Sequence, residues 1–192
     1  MIKHNESTSY DGLLIKSALA VFCAAAYFFA FKLNFVLFES LKFSEGVNWV
    51  FIPSGLRMLL VLVLLYFGSI GIALASCFIN YMIGNENQHL FNIVTAIISG
   101  FAPLIARKIC IDFLQLQPSL SNITSKTLFQ LSIVFSLISA LLHQVWFYWN
   151  DATEDFIASS LVMAVGDWVG TVLVLATASL LLKLKTSATT KK

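Results

Sequence analysis

Long apolar runs, separated by short polar segments, fill most of this 192-residue chain. A helix needs about 20 apolar residues to cross a hydrocarbon core about 30 Å thick, and most of these runs approach that length. Six spans are predicted at residues 12–31, 56–67, 70–82, 89–106, 127–149 and 156–182. The pattern therefore predicts an all-α fold, a polytopic transmembrane bundle of about six helices that forms a single domain over residues 1–192.

Two interruptions in the apolar pattern predict irregular structure. The Pro-Ser-Gly sequence at 53–55 breaks an apolar run that resumes at Leu56, which predicts a broken helix. Gly68 predicts a tight turn between two short helices. Leu33–Phe43 is rich in aromatic residues but also carries charges, a mixture that predicts a segment lying at the membrane surface.

Composition agrees with a lipid-exposed exterior and narrows the function. Hydrophobic residues make up 58% of the chain and charged residues 11%, whereas a soluble domain carries about 25% charged residues. The net charge of +2 is too small to indicate nucleic-acid binding, and the three cysteines have no metal-ligand spacing. No catalytic motif is present, so we expect neither enzymatic activity nor a cofactor or metal.

Basic residues give the predicted bundle a direction. With the N-terminus inside the cell, nine of them lie at inner ends of the spans and two in outer loops, the distribution typical of membrane proteins. The nine are Lys3, Lys16, Arg107, Lys108, Lys126, Lys183, Lys185, Lys191 and Lys192, and the two are Lys32 and Lys42. The chain is predicted to lie in a bacterial inner membrane, in contact with the lipid bilayer, with both termini inside.

Arg57 is the first candidate for a functional group. It follows the predicted break at Pro53, and a helix that begins within a membrane presents unpaired amides and a partial positive charge to a ligand. Arg57 would add a guanidinium to that site, as an anion-binding or pairing group, with Ser54 and Gly55 beside it. The alternative is an interfacial arginine whose side chain extends to the lipid headgroups.

Asp167 is the second candidate. It lies near the middle of the last predicted span, about 17 Å from either end at about 1.5 Å per residue, too far to reach water. We expect a buried acceptor in a polar cavity, with Trp168 lining it, while Gly166 and Gly170 permit close helix contact. The alternative is a structural pair between Asp167 and Arg57, or a backbone amide, that holds the bundle together.

Further polar residues lie within the predicted spans. They are His143 in the fifth span, Asn80 in the third, and Asn92 and Thr95 in the fourth. Single polar side chains in such helices commonly form hydrogen bonds to a neighbouring helix. We interpret these four as helix-to-helix contacts and not as ligand-binding groups.

Two stretches resemble MASE1 membrane sensor domains. Phe51–Leu56, followed by an aliphatic helix, Gly68, Gly71 and Asn80, resembles the Pro-Pro-Ala/Ser-Gly signature early in that family. Gly166–Leu173 resembles a later segment, in which an acidic residue precedes a glycine and an aliphatic run. Two features depart from the family: Ile52 stands where its first proline lies, and Arg57 is an addition. MASE1 domains are also usually longer, with more spans.

The resemblance implies a sensor that binds a small-molecule ligand. MASE1 domains are usually fused to a kinase or cyclic-dinucleotide domain, so we expect this chain to signal through a separate partner protein. The sequence from Pro53 to Arg57 and the six-helix size also resemble substrate-binding subunits of energy-coupling-factor vitamin transporters. Those subunits hand a bound nutrient to a shared energising module, which makes solute uptake the second hypothesis. A structural subunit of a membrane complex is the third.

Overall fold

The computed structural model describes residues 6–84 and 88–189, and their secondary structure is almost entirely helical. The helices are α1 (Glu6–Phe38), α2 (Ile52–Leu64), α3 (Tyr66–Ile83), α4 (His89–Phe113), α5 (Ser125–Trp149) and α6 (Phe156–Thr189). A short 3-10 helix (Glu39–Leu41) and a hairpin of β1 (Lys42–Ser44) and antiparallel β2 (Val47–Asn48) connect α1 to α2. The predicted helical bundle is confirmed. Lys3, Lys191 and Lys192, which contribute to the predicted orientation, lie outside the described residues.

Five of the six described helices are long and apolar enough to cross a membrane, and α2 is the exception. Its 13 residues extend about 20 Å at about 1.5 Å per residue, less than the roughly 30 Å of a hydrocarbon core. The bundle therefore combines five helices of spanning length with one short internal helix.

Contacts between α1 and α3 show that these two helices are parallel. Gly71 of α3 faces Cys23 of α1. Further along both helices, the rings of Phe28 and Phe78 lie 5.8 Å apart. Because both contacts advance in the same direction along the chain, the two helices run side by side with the same polarity.

The other long helices alternate in direction. Gly100 of α4 faces Ser69 of α3, and the Asn80 side-chain amide donates to the Asn92 carbonyl at 3.0 Å, so α3 and α4 are antiparallel. Equivalent pairs relate α4 to α5 and α5 to α6, namely Ser99–His143, Phe91–Phe147, Gln144–Met163 and Phe129–Trp168. The start of α1 and the end of α6 therefore lie at the same end of the bundle. The β-hairpin lies at the opposite end, which we call the hairpin end.

Glycines allow the chain that leads into α2 to enter the bundle. A Cβ atom on Gly166 would overlap the carbonyl oxygen of Asn48, and one on Gly170 would overlap that of Phe51. Gly166 lies about 15 Å along α6 from its start at Phe156, and Gly170 lies about 21 Å along it. The Gly166–Gly170 pair thus contacts an extended segment that descends from the hairpin end, and α2 begins inside the bundle.

The breaks in the helices differ from the predicted ones. The Pro-Ser-Gly sequence at 53–55 lies in the first turn of α2, where the missing N–H of proline removes no intrahelical hydrogen bond, so it begins the helix instead of breaking it. The turn between α2 and α3 lies at Leu65, whose φ of 50° is left-handed, and not at Gly68. Gly68 instead lies within α3, where its lack of a side chain lets α3 approach the Leu60 backbone.

The segment predicted at the membrane surface, Leu33–Phe43, is split between elements. Its first part continues α1 as far as Phe38, and the rest forms the 3-10 helix and β1. Within this part of α1, Asn34 is buried and accepts a hydrogen bond from the Ile52 amide at 2.9 Å, which ties it to the start of α2.

An apolar cluster fills the bundle on the side away from the hairpin. Met58, Leu131 and Phe135 are fully buried in it. The loop between α4 and α5 contributes Leu116, which is 1% exposed and packs into the same cluster. The cluster therefore fills the interior next to the ion pair, and a separate groove of about 330 Å³ lies beside it between α5 and α6.

The orientation of the chain can be tested by cysteine labelling in intact cells. Glu154→Cys, in the exposed loop between α5 and α6, should react with a membrane-impermeant maleimide, because the basic residues favour that side as the outside. Ser119→Cys, in the exposed loop between α4 and α5, should react only after the membrane is permeabilised. The unsubstituted chain is the control for the native cysteines, and the reverse labelling pattern would overturn the orientation.

The close approach of backbone atoms at Gly170 leads us to predict that a larger side chain there destabilises the fold. Gly170→Ala should lower the free energy of unfolding by about 1–3 kcal/mol, because the added methyl overlaps backbone atoms that cannot move independently. Gly12→Ala is the matched control, since a Cβ at Gly12 meets no atom within 4 Å. Thermal unfolding in detergent measures both, and equal melting temperatures for the two variants would contradict the packing described here.

Candidate ligand cavity

A buried ion pair joins α2 to α6. The Arg57 Nη2 atom donates to the Asp167 carboxylate at 3.2 Å (Oδ1) and 3.1 Å (Oδ2), and lies 3.3 Å from the Ser139 hydroxyl of α5. Arg57 is 2% exposed and Asp167 is 1% exposed. Charges removed from water to this degree are stable only when they are paired and hydrogen-bonded, as they are here.

Aromatic rings enclose the arginine. The guanidinium carbon of Arg57 lies 5.7 Å from the ring centroid of Phe51 and 5.4 Å from that of Phe135. Both distances are within the range of attractive cation–π contacts. These rings exclude water from the guanidinium and compensate part of its lost hydration.

Hydroxyl groups strengthen the contact between α2 and α6 next to the pair. The Ser54 hydroxyl lies 3.0 Å from the Asp167 carbonyl oxygen and 3.1 Å from the Thr171 hydroxyl. Thr171 also donates to the Asp167 carbonyl at 2.6 Å, the usual bond of a threonine to the preceding helical turn. Both hydroxyl groups are completely buried, so Ser54 contributes to helix packing.

The amides at the start of α2 are engaged by protein groups. The Ile52 N–H donates to Asn34, Pro53 has no N–H, and the Ser54 N–H donates to the Phe51 carbonyl at 3.1 Å. The structure therefore directs the first donors of this helix to its own neighbours, and the helix N-terminus does not present them to a ligand.

A cavity of about 480 Å³ lies between the hairpin end and the ion pair. Because α2 begins inside the bundle, none of the described helices fills the space between its first turn and the hairpin. Glu45, Gly46, Gln88 and Ala152 line the cavity at the hairpin end, and Arg57 and Asp167 line it at depth. Between them lie Tyr27, Phe31, Asn48, Phe51, Ser76, Ile79, Asn80, Ile83, Gly84, Phe91, Asn92, Thr95, Ser99, His143, Phe147 and Met163.

His143 connects the cavity wall to the ion pair. Its Nδ1 lies 2.7 Å from the Ser139 carbonyl, which only accepts, so Nδ1 carries a hydrogen. Its Nε2 lies 3.1 Å from the Ser99 hydroxyl, which donates to it in the neutral ring. Because the Ser139 hydroxyl contacts Arg57, a chain of polar contacts links α4, α5, α2 and α6.

The structure places the predicted site residues at three locations. Arg57 and Asp167 lie together in the cavity wall. Ser54, Gly55, Gly166 and Gly170, with Pro53, lie instead where α2 and its preceding segment pack against α6. Trp168 points toward α5, where its ring is 5.9 Å from that of Phe129, and it does not line the cavity.

Several cavity residues were not predicted as ligand-binding groups. Asn92, Thr95 and Ser99 line the cavity from α4, and their spacing of three and four residues places them on one helical face. His143 lines it from α5, together with Tyr27 from α1. The polar stripe along α4 is a signal in the sequence that could have identified this wall.

We predict that breaking the buried ion pair destabilises the bundle. Arg57→Met should lower the free energy of unfolding by about 3–5 kcal/mol, because it leaves the Asp167 carboxylate buried without its partner. The double variant Arg57→Met, Asp167→Leu should recover most of this loss, since no unpaired charge remains.

An exposed pair provides the control for this measurement. Lys108 and Asp112 are 2.9 Å apart with side chains 77% and 44% exposed, so Lys108→Met should change stability by at most about 1 kcal/mol. Thermal unfolding in lipid nanodiscs compares the three variants. An Arg57→Met protein as stable as the Lys108→Met protein would show that the buried pair does not stabilise the bundle.

Comparison of the chain with protein-family models, with curated proteins and with solved structures finds no match. The resemblance to MASE1 domains therefore depends only on the residues that carry it, Phe51–Leu56 and Gly166–Leu173.

Proposed function

We propose that this chain is a multi-pass protein of the bacterial inner membrane that binds a small molecule and signals through a separate partner protein. The observation that supports the proposal is the cavity of about 480 Å³ between the hairpin end and the Arg57–Asp167 pair. Ligand pockets usually measure about 300–1,000 Å³ and combine apolar walls with a few well-placed polar groups. This cavity has both properties.

The positions of the polar groups favour binding over a purely structural role. A pair that served only to clamp α2 to α6 would need no cavity beside it, yet polar side chains from α1, α3, α4 and α5 also line the space. Tyr27, Ser76, Thr95 and His143 are examples, one from each of these helices. Groups from so many elements that converge on one cavity are characteristic of a ligand site.

The opposite end of the bundle supports binding rather than conduction. Beyond the ion pair, the apolar cluster around Met58, Leu131 and Phe135 occupies the interior. The Phe135 ring contacts both this cluster and the guanidinium of Arg57. A molecule that reaches the pair from the hairpin end would meet packed side chains, so the cavity suits a bound ligand better than a passing one.

The partner protein is the part of the proposal that depends on the MASE1 resemblance. Those domains act on kinase or cyclic-dinucleotide domains, and residues 6–84 and 88–189 form only the helices and the small hairpin. An output domain would therefore lie outside these residues. Ligand binding would change the contacts between α2 and α6, which both reach from the cavity wall to the opposite end of the bundle.

Solute uptake is the second candidate function. A cavity that is closed at one end also fits a substrate-binding subunit, which holds a nutrient until an energising module opens the other side. If uptake is the function, deletion of the gene should abolish energy-dependent accumulation of the bound molecule in cells. If sensing is the function, accumulation should be unchanged and a cellular response to the molecule should be lost.

Ligand binding can be tested by native mass spectrometry of the full chain in nanodiscs. We expect a co-purifying small molecule, and Thr95→Trp should remove it because the indole would occupy part of the space that the molecule needs. Ile97→Trp is the matched control on the same helix, since Ile97 is 49% exposed on the outer surface and should leave binding intact. A molecule retained equally by both folded variants, or none in any preparation, would contradict the proposal.

A further inference from the structure

The charges that line the cavity are compensated within the protein. Arg57 and Asp167 neutralise each other at 3.1 Å. At the hairpin end, Glu45 is paired with Lys42 at 2.5 Å, and because its side chain is 88% exposed, solvent also screens its charge. Among the described lining residues, no other aspartate, glutamate, lysine or arginine is present. A ligand with a net charge would therefore find no unpaired opposite charge, and burying it would carry an uncompensated desolvation cost.

Aromatic rings form much of the cavity wall. Four phenylalanines line it: Phe31 from α1, Phe51 from the segment that precedes α2, Phe91 from α4 and Phe147 from α5. The Phe91 and Phe147 rings lie 5.3 Å apart at 35°, and those of Phe31 and Phe51 lie 6.2 Å apart at 81°. Rings from different elements that border one space provide both faces and edges for an aromatic guest.

Two polar atoms of lining residues have no hydrogen-bond partner among the described residues. They are the Thr95 hydroxyl and the Nε atom of Arg57, and both residues are more than nine-tenths buried. Both atoms have almost no accessible surface, so a ligand would reach them by a small displacement of the cavity wall, and an acceptor placed there would remove the cost of a buried donor without a partner. A carbonyl oxygen is the simplest neutral group that accepts from both N–H and O–H donors.

From these three observations we infer that the ligand is an uncharged aromatic molecule that carries a carbonyl or amide group. The inference rests on the proposed function, since it concerns the same cavity. It also revises the sequence-based expectation for Arg57: the guanidinium is committed to Asp167, so its free Nε–H suits a neutral acceptor better than an anion.

Three probes of one skeleton separate charge from aromaticity. They are naphthalene-2-carboxamide, naphthalene-2-carboxylate and decahydronaphthalene-2-carboxamide, titrated into the full chain in nanodiscs by calorimetry. The aromatic amide should bind at least about tenfold more tightly than either comparison probe. The carboxylate binds more weakly because its charge is uncompensated, and the saturated amide binds more weakly because it lacks the aromatic ring contacts. Equal or tighter binding of either comparison probe, or no binding of the aromatic amide, would overturn the inference.

A variant pair locates the binding. Thr95→Val removes the hydroxyl with little change in shape and should weaken the aromatic amide about three- to tenfold. Thr177→Val is the control, because Thr177 is exposed on α6 and its hydroxyl donates to the Leu173 carbonyl of its own helix. Identical affinities for both variants would place the probe elsewhere and contradict the inferred contact.

The inference and the proposed function fail in different ways. A charged or non-aromatic molecule found by native mass spectrometry, and displaced by Thr95→Trp, would refute the ligand class while supporting a binding function. Absence of any molecule together with no binding of the three probes would refute both.

Discussion

The buried pair of Arg57 and Asp167 is the interaction on which the rest of the structure depends. Two charges at 1–2% exposure are stable only if their partners are fixed in place, because each alone would carry a large desolvation cost. The surroundings supply that constraint. Gly170 allows the backbone before α2 to touch α6, and Ser54 holds the same contact by hydrogen bonds. Phe51 and Phe135 exclude water from the guanidinium.

The short helix α2 converts this packing into a cavity. Because α2 begins opposite Gly170, about 21 Å along α6, the space toward the hairpin is bordered by long helices but not filled by one among the described residues. An additional full-length helix in this position would have filled that space. The same arrangement explains why the ion pair is both a structural clamp and part of the cavity wall. A ligand bound there would contact the group that joins α2 to α6.

Such a shared group gives a physical basis for signalling or for release. A ligand shifts an equilibrium between two arrangements only if it binds them with different affinity. Contacts to Arg57 and to the polar chain through His143 would depend on how α2, α5 and α6 are placed. Sensing and uptake both require this dependence, and they differ in what the movement does: one alters a partner, and the other opens the closed end of the cavity.

The sequence by itself determined the membrane bundle, the number of its helices, and the two residues that form its buried pair, because apolar run length and an intramembrane charge are local signals. It did not determine the turn at Leu65, the descent of the chain before α2, or the roles of Ser54, Gly55 and Trp168. Those depend on which helices pack together. Arg57 and Asp167 are 110 positions apart in the chain, and only the tertiary structure decided that Arg57 pairs with Asp167 and not with a bound anion. The reason is that pairing depends on the distance between two helices, which neither segment of sequence specifies alone.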